Sequence, residues 1–364
     1  MAVIASDGFD HYNLGTDPLL RVGALQWSLG TYPSSGINIV TPGRGGFGKA
    51  LQVYYPGNFV GAVTNGIYGI FSSNLSEYYF AFALNDGTNL EQVFVELIDP
   101  LAGNNAQVTV SIDPTSGTVT LLKGAFNSTT VLAASEPAAI NTATYPIVEI
   151  GVRLGSSGFL TVRVNNNQVV TYSGNTQSTA NASFGGVLFG LTYDAGNGRP
   201  GSFEIDDFRY NDTTTGPGSY PCNAWMGDLR VATIFPIGNG AVAWTPLANA
   251  NWQEVSETAF DGDTTYNFAS TLGAEDLFNL APLAGTISYV IAVQVVGAYR
   301  QTDASPHTVA QHVKVGGTDT ALTTRNTTLG YEFFSDMMAI NPTTAGSWTV
   351  AEVNAMQIGY EAVT

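Results

Sequence analysis

The stretch AQVTVSIDPTSGTVTLL, residues 106–122, decides the fold class. In its first half, VTVSI (108–112), apolar and polar residues alternate, and the same alternation resumes in TVTLL (118–122). Strands show this period of two because successive side chains point to opposite faces. The segment DPTSG (113–117) between them is composed of residues that form tight turns. The stretch therefore predicts a β-hairpin with one apolar face.

The same pattern recurs through the first 212 residues. The run FLTVRVNNNQVV (159–170) has two alternating halves around Asn165-Asn166-Asn167, which predicts a second hairpin. Further strands are expected at Tyr78–Leu84, Val93–Ile98, Ile147–Leu154 and Val187–Tyr193. Many short strands with frequent turns are typical of a β-sandwich or jelly roll.

The periodicity stops at residues 213–226, a Thr-, Gly- and Pro-rich segment that we interpret as a linker. The alternation then resumes. We predict an all-β fold of two sandwich or jelly-roll-type domains, 1–212 and 227–364, with a short helix near the carboxy terminus.

Three segments define the second domain. The near-continuous apolar run ISYVIAVQVVGAYR (287–300) indicates a strand covered on both faces. Thr349 and Glu352 have the spacing of a capping box, which predicts a short helix before a final strand at MQIGYEAV (356–363). Ala274–Leu280 is a candidate for one or two further helical turns.

Composition excludes several partners. Only 11% of the 364 residues are charged, against about 25% in ordinary soluble domains. The net charge is −17, and only three residues are lysine, so a nucleic-acid backbone would be repelled. No segment reaches 18 consecutive apolar residues, so no membrane insertion is expected. The opening MAVIASDGFD lacks the features of a signal peptide, so we expect synthesis in a cytoplasm.

The acidic stretch GSFEIDDFRYND (201–212) permits two interpretations. Its apolar parity slips at Asp206-Asp207, and a β-bulge there would return all the apolar side chains to one face. Alternatively, Glu204 and Asp206 share a face and would supply the two carboxylates, about 5–5.5 Å apart, of a retaining glycosidase. Laminarinase-like families that use such a strand carry a third acid after this pair, and this chain departs from their motif by having Arg209 at that place. We favour the structural interpretation, an acidic bulge that accepts backbone amides.

Other candidate sites are few. Tyr54, Tyr55, Asn58 and Phe59 lie in VYYPGNFVG, where aromatic rings and amides are candidates for stacking on and binding a glycan. His307 and His312 are five residues apart, which places them on opposite faces of an ideal strand. Because a zinc site needs three or four convergent ligands, we predict no metal and no cofactor.

Three ordered segments carry a family resemblance. FGKALQV (47–53), GFLTVRVNNNQVV (158–170) and GSFEIDDFRYND are similar, in order and spacing, to landmarks of laminin-G-like, concanavalin-A-type jelly rolls. The family has Asp-Gly in its late hairpin, where this chain has Asn165-Asn166-Asn167. No calcium ligand is therefore carried over at that position.

A second resemblance covers the remainder of the chain. DGFDHY (7–12) resembles the start of many bacteriophage virion proteins. GDLRVATIFPIGNG (227–240), WQEVSETAFDGDTTYNFAS (252–270) and SWTVAEVNAMQIGYE (347–361) resemble phage tail and fibre-associated proteins. The resemblance implies a structural protein of the virion that is not an enzyme and that acts by assembly with other virion proteins. It also implies attachment to host-surface glycan as an additional role.

Two alternatives stay open beside the virion interpretation. One is a polysaccharide-degrading glycoside hydrolase on the jelly roll, and the other is a free carbohydrate-binding lectin. Since sheet edges must be paired or covered, we expect a cyclic homo-oligomer, with a trimer favoured by the resemblance. The segments 356–363 and 287–300 are expected to lie beside a neighbouring subunit.

Overall fold

A computed structural model describes residues 3–9, 26–29, 37–46, 48–55, 65–88, 92–192, 201–212, 225–258 and 260–364. The described chain is almost entirely β, with one short α-helix near the carboxy terminus, as the sequence predicts. No helix in these ranges combines the length and hydrophobicity that a membrane span requires.

The amino-terminal part contains fifteen described strands. They are β1 (Val3–Asp7), β2 (Gln26–Leu29), β3 (Ile37–Val40), β4 (Ala50–Tyr55), β5 (Asn65–Leu75), β6 (Glu77–Thr88), β7 (Gln92–Asp99), β8 (Asn105–Asp113), β9 (Thr118–Lys123), β10 (Val131–Ala134), β11 (Ile147–Arg153), β12 (Gly158–Val164), β13 (Asn167–Gly174), β14 (Phe184–Thr192) and β15 (Gly201–Asp212). All four strands predicted individually in this region are present, with boundaries extended or shortened by a few residues.

These strands form two antiparallel sheets. The front sheet has the order β13-β12-β11-β6-β15-β4-β3, and β1 pairs with the second half of β15. The back sheet has the order β10-β9-β8-β7-β14-β5-β2. Both predicted hairpins are confirmed, β8–β9 and β12–β13. In the first, Asp113 Oδ1 accepts hydrogen bonds from Thr115 N (2.8 Å) and Ser116 N (3.2 Å), and Gly117 has a φ of +67°.

The core lies between the two sheets, where the apolar faces of the alternating strands meet. Phe82 and Phe208 of the front sheet contact Phe189 of the back sheet, with ring centroids 4.9 and 5.7 Å apart. All three are fully buried. Each large apolar side chain removed from water contributes about 1.5–3 kcal/mol, so the paired apolar faces fix which face of the front sheet points outward.

The carboxy-terminal part forms separate, smaller sheets. Its strands are β16 (Pro236–Val242), β17 (Thr245–Pro246), β18 (Asn267–Phe268), β19 (Glu275–Leu280), β20 (Val293–Tyr299), β21 (Thr308–Val315), β22 (Thr318–Asn326), β23 (Glu332–Met338) and β24 (Gln357–Ala362). The five-stranded third sheet has the order β16-β19-β24-β21-β22, while β17–β18 and β20–β23 are two-stranded.

Helix α1 (Val350–Ala355) begins where the sequence predicts. Thr349 is its N-cap: the hydroxyl accepts from Glu352 N at 3.2 Å, and Glu352 Oε2 accepts from Thr349 N at 2.8 Å. The two bonds satisfy amide groups that a helix start otherwise leaves without partners. The strand predicted after the helix is β24.

Three expectations for this part are wrong. Ala274–Leu280 contains β19 rather than helical turns, because its apolar residues are buried against neighbouring strands. In the run 287–300 only β20 is a strand, and Ile287 and Tyr289 are exposed rather than covered on both faces. β24 is paired on both sides, with β19 and β21, so it is not a free sheet edge that could pair with a neighbouring strand.

Candidate functional site

The outward face of the front sheet presents a polar cluster centred on Glu204. On β15, Phe203 and Ile205 point into the core, so Glu204 points outward between them. Its cross-strand neighbours are Gln52 on β4 and Asn85 on β6. Strand alternation and antiparallel register therefore bring three polar side chains together from segments far apart in the chain.

Glu204 receives hydrogen bonds from three side chains. Asn85 Nδ2 donates to Oε2 at 3.0 Å and Gln52 Nε2 donates to Oε1 at 3.3 Å. The hydroxyl of Tyr145 donates to Oε2 in a short contact. All three neighbours are donors, so they satisfy Glu204 as a carboxylate.

Tyr145 reaches this cluster because its backbone is unusual. It follows a 3₁₀ turn (Thr142–Thr144) capped by Asn141, and it has a φ of +52°. A bulky residue in the left-handed region costs free energy and is often found at functional sites. Burial, and next the hydrogen bond to Glu204, raise the pKa of the Tyr145 hydroxyl well above its ordinary value. The phenol therefore keeps its proton and remains a donor.

The bulge in β15 lies at Asp206-Asp207. The register with β6 shifts between Asp206 and Arg209, and Asp207 has a φ of +52°. Asp206 accepts from the backbone nitrogens of Arg44 (2.8 Å) and Asp207 (2.6 Å), and Asp207 accepts from Val231 N (2.8 Å). Both carboxylates are almost fully buried. Asp206 is thus held by backbone amides and does not stand beside Glu204 as a second exposed carboxylate.

A pocket opens directly above Glu204. It has a volume of about 600 Å³ and is lined by the loop Thr41–Gly45, by Asn85, Ala143–Tyr145 and Glu204, and by Arg230. Arg44 bonds Asp207 (3.2 Å) and Asp228 (2.7 Å) through its guanidinium.

Arg230 lies against this loop on the exposed side of the pocket. It donates to the carbonyl oxygen of Arg44 at 3.3 Å. Gly45 makes this approach possible: its φ is +74°, and a Cβ there would lie 2.8 Å from Arg230 Nη2. A side chain at position 45 would therefore displace the guanidinium.

The other half of the outward face is covered by the chain entering the carboxy-terminal part. Arg209 Nη2 donates to Gly227 O at 2.5 Å, and Gly227 N donates to Glu149 Oε1 at 2.7 Å. The Trp225 ring packs on Tyr79, with centroids 5.2 Å apart. Gly151 leaves room for this, since a Cβ there would lie 2.8 Å from Trp225. Arg209, at the position predicted for a third catalytic acid, is thus a buried cation covered by this polypeptide segment.

The predicted glycan-binding residues fall partly outside the described chain. Asn58 and Phe59 are among the undescribed residues, and for Tyr55 only the backbone is described. Tyr54 is half-buried on β4, opposite Ser202, with the same parity as Gln52. It therefore shares the outward face with the Glu204 cluster.

Sequence reasoning missed Tyr145, Asn85 and Arg230. Tyr145 lies 59 residues from Glu204 in the chain, in a segment without strand periodicity. A sequence signal existed only for Glu204, whose position among apolar strand residues marks it as outward-facing.

No known protein-family profile matches the chain, and no curated protein has a matching sequence. Among solved structures it resembles the endo-β-1,4-glucuronan lyase of the fungus Trichoderma reesei, with 11% identity, 58% of this chain, 95% of that chain and a TM-score of 0.37. It also resembles the β-glucanase of Bacillus licheniformis, with 12% identity over 57% of this chain and 97% of that chain and a TM-score of 0.37. A third similar structure is a carbohydrate-binding module from Bacillus subtilis, with 12% identity over 55% of this chain and 98% of that chain and a TM-score of 0.33.

These comparisons correct one prediction. The expectation that the chain is not an enzyme is contradicted, because a lyase and a glucanase are among the similar structures. At such identities and TM-scores the likeness carries no particular activity to this chain. Its chemistry has to be argued from the pocket itself.

Proposed function

We propose that the amino-terminal sandwich binds an acidic polysaccharide in the Glu204 pocket and cleaves it by proton transfer. The observation that carries this proposal is the contact between the Tyr145 hydroxyl and the Glu204 carboxylate in an open pocket. An acid and a base side by side, reachable from solvent, are the minimum that general acid–base catalysis requires.

The pair is suited to β-elimination. Glu204 would remove the proton from the sugar carbon that bears the carboxyl group. The carbon–oxygen bond of the glycosidic link then breaks as a carbon–carbon double bond forms. Tyr145, whose raised pKa keeps it protonated, would give its proton to the departing oxygen.

Arg230 at the pocket rim favours a uronic acid as substrate. During elimination, negative charge develops on the sugar's carboxyl group, and preorganised donors beside that charge lower the barrier. Arg230, which lies on the exposed side, and Asn85 are placed to supply them. The chain has only 12 lysine and arginine residues, so an arginine at the rim of the Glu204 pocket is a distinctive feature.

A retaining glycosidase fits the geometry less well. That mechanism needs a second carboxylate about 5–5.5 Å from the first, flanking the scissile bond. Asp206, the carboxylate two residues along the strand, is 6% exposed and accepts two backbone amides. Tyr145 rather than an acid is the partner of Glu204.

The test is an assay for unsaturated sugars. The purified full-length chain is incubated with polyglucuronate, alginate and pectate, and the ultraviolet absorbance of the new double bond is followed. We expect activity on at least one of them, reduced by about 10²–10⁴-fold in Tyr145→Phe and in Glu204→Gln. The matched control is Tyr79→Phe, which removes a hydroxyl bonded to Glu77 at 3.4 Å outside the pocket.

Two results would contradict the proposal. One is full activity in both pocket variants. The other is the absence of an unsaturated product from all three polymers with the wild-type chain. New reducing ends without a double bond would indicate hydrolysis, which is the reaction of a glycosidase.

We also propose that the carboxy-terminal part mediates assembly. Of the ten exposed large apolar side chains among the described residues, two belong to the sandwich, Leu101 and Val131. The other eight lie beyond residue 226: Ile237, Val242, Leu247, Phe268, Leu272, Ile287, Tyr289 and Leu329. Contiguous exposed apolar surface marks protein contacts, and most of the exposed apolar side chains that could form it lie in this part of the chain. Virion proteins as partners, and a trimer, stay predictions from the sequence.

Light scattering on the full-length chain tests this second proposal. We expect an oligomer at micromolar concentration that Phe268→Glu or Leu272→Glu weakens, with Leu101→Glu in the sandwich as the control. A wild-type monomer would contradict it.

A further inference from the structure

A second cluster of titratable groups lies on the third sheet, far from the Glu204 pocket in sequence. His312 on β21 is 7% exposed. Its Nδ1 lies 2.9 Å from Asp319 Oδ1 on β22 and 3.3 Å from Glu275 Oε1 on β19, and its Nε2 lies 3.1 Å from Glu361 Oε2 on β24. Four adjacent strands of one sheet thus each contribute one group to the same face.

The imidazole cannot satisfy this arrangement in its neutral form. Neutral histidine carries one N–H and one lone pair, yet carboxylate oxygens face both ring nitrogens. With the proton on Nε2, bonded to Glu361, the Nδ1 lone pair points at two carboxylates. Glu275 Oε1 is buried, and its recorded contact is the 3.3 Å approach to Nδ1. The space between Nδ1, Glu275 and Asp319 therefore calls for a positive charge.

The surrounding charges strengthen that requirement. Glu275 and Glu361 stand directly opposite each other on neighbouring strands, and like charges in that position are destabilising. Lys314 on β21, opposite Asp319, is the one lysine that bears on the cluster. Among the described residues, three carboxylates and Lys314 thus surround the His312 ring.

The three atoms that face one another match the spacing of metal ligands. The ligand atoms of Glu275, His312 and Asp319 all lie within 4.8 Å of one another. A tetrahedral ion with bonds of about 2.0–2.1 Å separates its ligand atoms by about 3.3 Å, close to the Nδ1–Oε1 and Nδ1–Oδ1 distances. Glu361 would act as the outer carboxylate that fixes the tautomer and orientation of a metal-bound histidine.

We infer that Glu275, His312 and Asp319 bind a divalent transition-metal ion that ties strands β19, β21 and β22 together. One imidazole nitrogen and two carboxylate oxygens are a ligand set for Zn²⁺ or Mn²⁺ rather than for Ca²⁺, which takes six to eight oxygens. The remaining coordination positions are left for water: one for tetrahedral Zn²⁺ and more for octahedral Mn²⁺. This site is independent of the proposed activity in the amino-terminal sandwich.

The test is metal binding by tag-free, chelator-treated full-length protein. ZnCl₂ and MnCl₂ are titrated in a calorimeter, with CaCl₂ for comparison, and thermal unfolding is followed in parallel. We expect one Zn²⁺ or Mn²⁺ per chain and an unfolding midpoint that rises with metal concentration, since a ligand bound only by the folded state stabilises it. X-ray absorption should show only nitrogen and oxygen neighbours, with one imidazole.

Variants separate a metal site from a purely ionic cluster. Asp319→Asn and His312→Gln should abolish the metal-dependent rise, and Glu361→Gln should weaken binding by about 10–100-fold. The matched control is His307→Gln, which removes an exposed histidine bonded to a single carboxylate, Asp303, at 3.1 Å.

Two outcomes would overturn the inference. The first is no saturable binding of Zn²⁺ or Mn²⁺ by the wild-type chain. The second is binding that survives in both Asp319→Asn and His312→Gln, or that His307→Gln removes equally. If the cluster is instead held by a doubly protonated His312, metal will leave the unfolding midpoint unchanged, and that also counts against the site.

Discussion

At the scale of single residues, Asp99 shows how hydrogen bonds outweigh burial. Its carboxylate is fully buried and accepts from Leu101 N (3.0 Å), Thr179 Oγ1 (2.6 Å) and Asn181 Nδ2 (2.9 Å). Burial alone would raise its pKa, but these donors together lower it below the ordinary value of 3.8. The carboxylate form therefore holds the end of β7 to the segment that precedes β14.

The first prediction concerns this carboxylate. Asp99→Asn should lower the free energy of unfolding at pH 7 by about 1–3 kcal/mol, because buried donors lose a charged acceptor. A depressed pKa in the folded state means that the stabilisation is complete above the unfolded value and is lost as the pH falls through the folded one. The difference between wild type and variant should therefore shrink below about pH 4. Urea unfolding at pH 7, 5 and 3 measures it.

The exposed Glu136, changed to Gln, is the control for this series. It should show little difference at any of the three pH values. A penalty for Asp99→Asn that is equal at pH 3 and pH 7 would contradict the assigned cause.

Single residues also show the limit of sequence reasoning about the site. Glu204 could be placed outward and the irregularity at Asp206-Asp207 could be located, because strand parity is a local property. The partners could not be found. Arg44 and Asp207 are 163 residues apart, and Tyr145 reaches Glu204 through a left-handed backbone that no local pattern marks.

At the scale of elements, the β12–β13 hairpin depends on two asparagines. Asn165 and Asn166 have φ values of +48° and +68°. Both central residues of a type I′ turn need positive φ, and asparagine tolerates it better than other residues with a side chain. Asn165 also accepts a hydrogen bond from Ile147 N at 2.9 Å, which ties the turn to β11.

The second prediction tests this turn. Asn166→Gly should leave stability nearly unchanged, whereas Asn166→Ala should cost about 1 kcal/mol, since the left-handed region costs other L-residues about that much. Gln168→Ala, at an exposed position of β13 where positive φ is not required, is the control. Urea unfolding of the three variants gives the comparison, and equal stability of the Ala and Gly variants at position 166 would refute it.

Sequence alternation predicts where a strand lies but not which strand pairs with it. Alternation located β7, β8, β9 and β24 because it records which side chains are buried. It does not record which strand lies beside which, so β24 was expected at an edge and lies in the middle of the third sheet. The apolar run 287–300 misled for another reason. Ile291 and Ala292 pack against Met226 and the sandwich, not within a two-sided sheet.

At the scale of the whole molecule, the two parts share a contact that sequence patterns did not reveal. Met226, Leu229, Ile291 and Met337 pack on Ala81, on the outward face of the front sheet. Asp228 bonds Arg44, and the Lys49 ammonium donates to Thr258 O at 3.1 Å. The linker predicted at 213–226 lies outside the described residues except for Trp225 and Met226, which both contact the sandwich. Composition could not show that the chain just after this segment returns to cover the sandwich.

The last prediction follows from that cover. A fragment of residues 1–212 would uncover Glu149 and Arg209, each already with one unpartnered buried atom, and would lose the bonds of both to Gly227. A fragment of residues 1–232 keeps those bonds and the Trp225 ring. At about 1–1.5 kcal/mol per hydrogen bond and about 1–2 kcal/mol for the half-buried Trp225 ring, the longer fragment should be more stable by about 3 kcal/mol or more. Urea unfolding of the two fragments measures the difference, and Trp225→Ala in the longer one isolates the ring. Equal midpoints for 1–212 and 1–232 would mean that the segment merely lies on a face that is stable without it. A clear gap would mean that residues 225–232 belong to the sandwich that carries the Glu204 pocket.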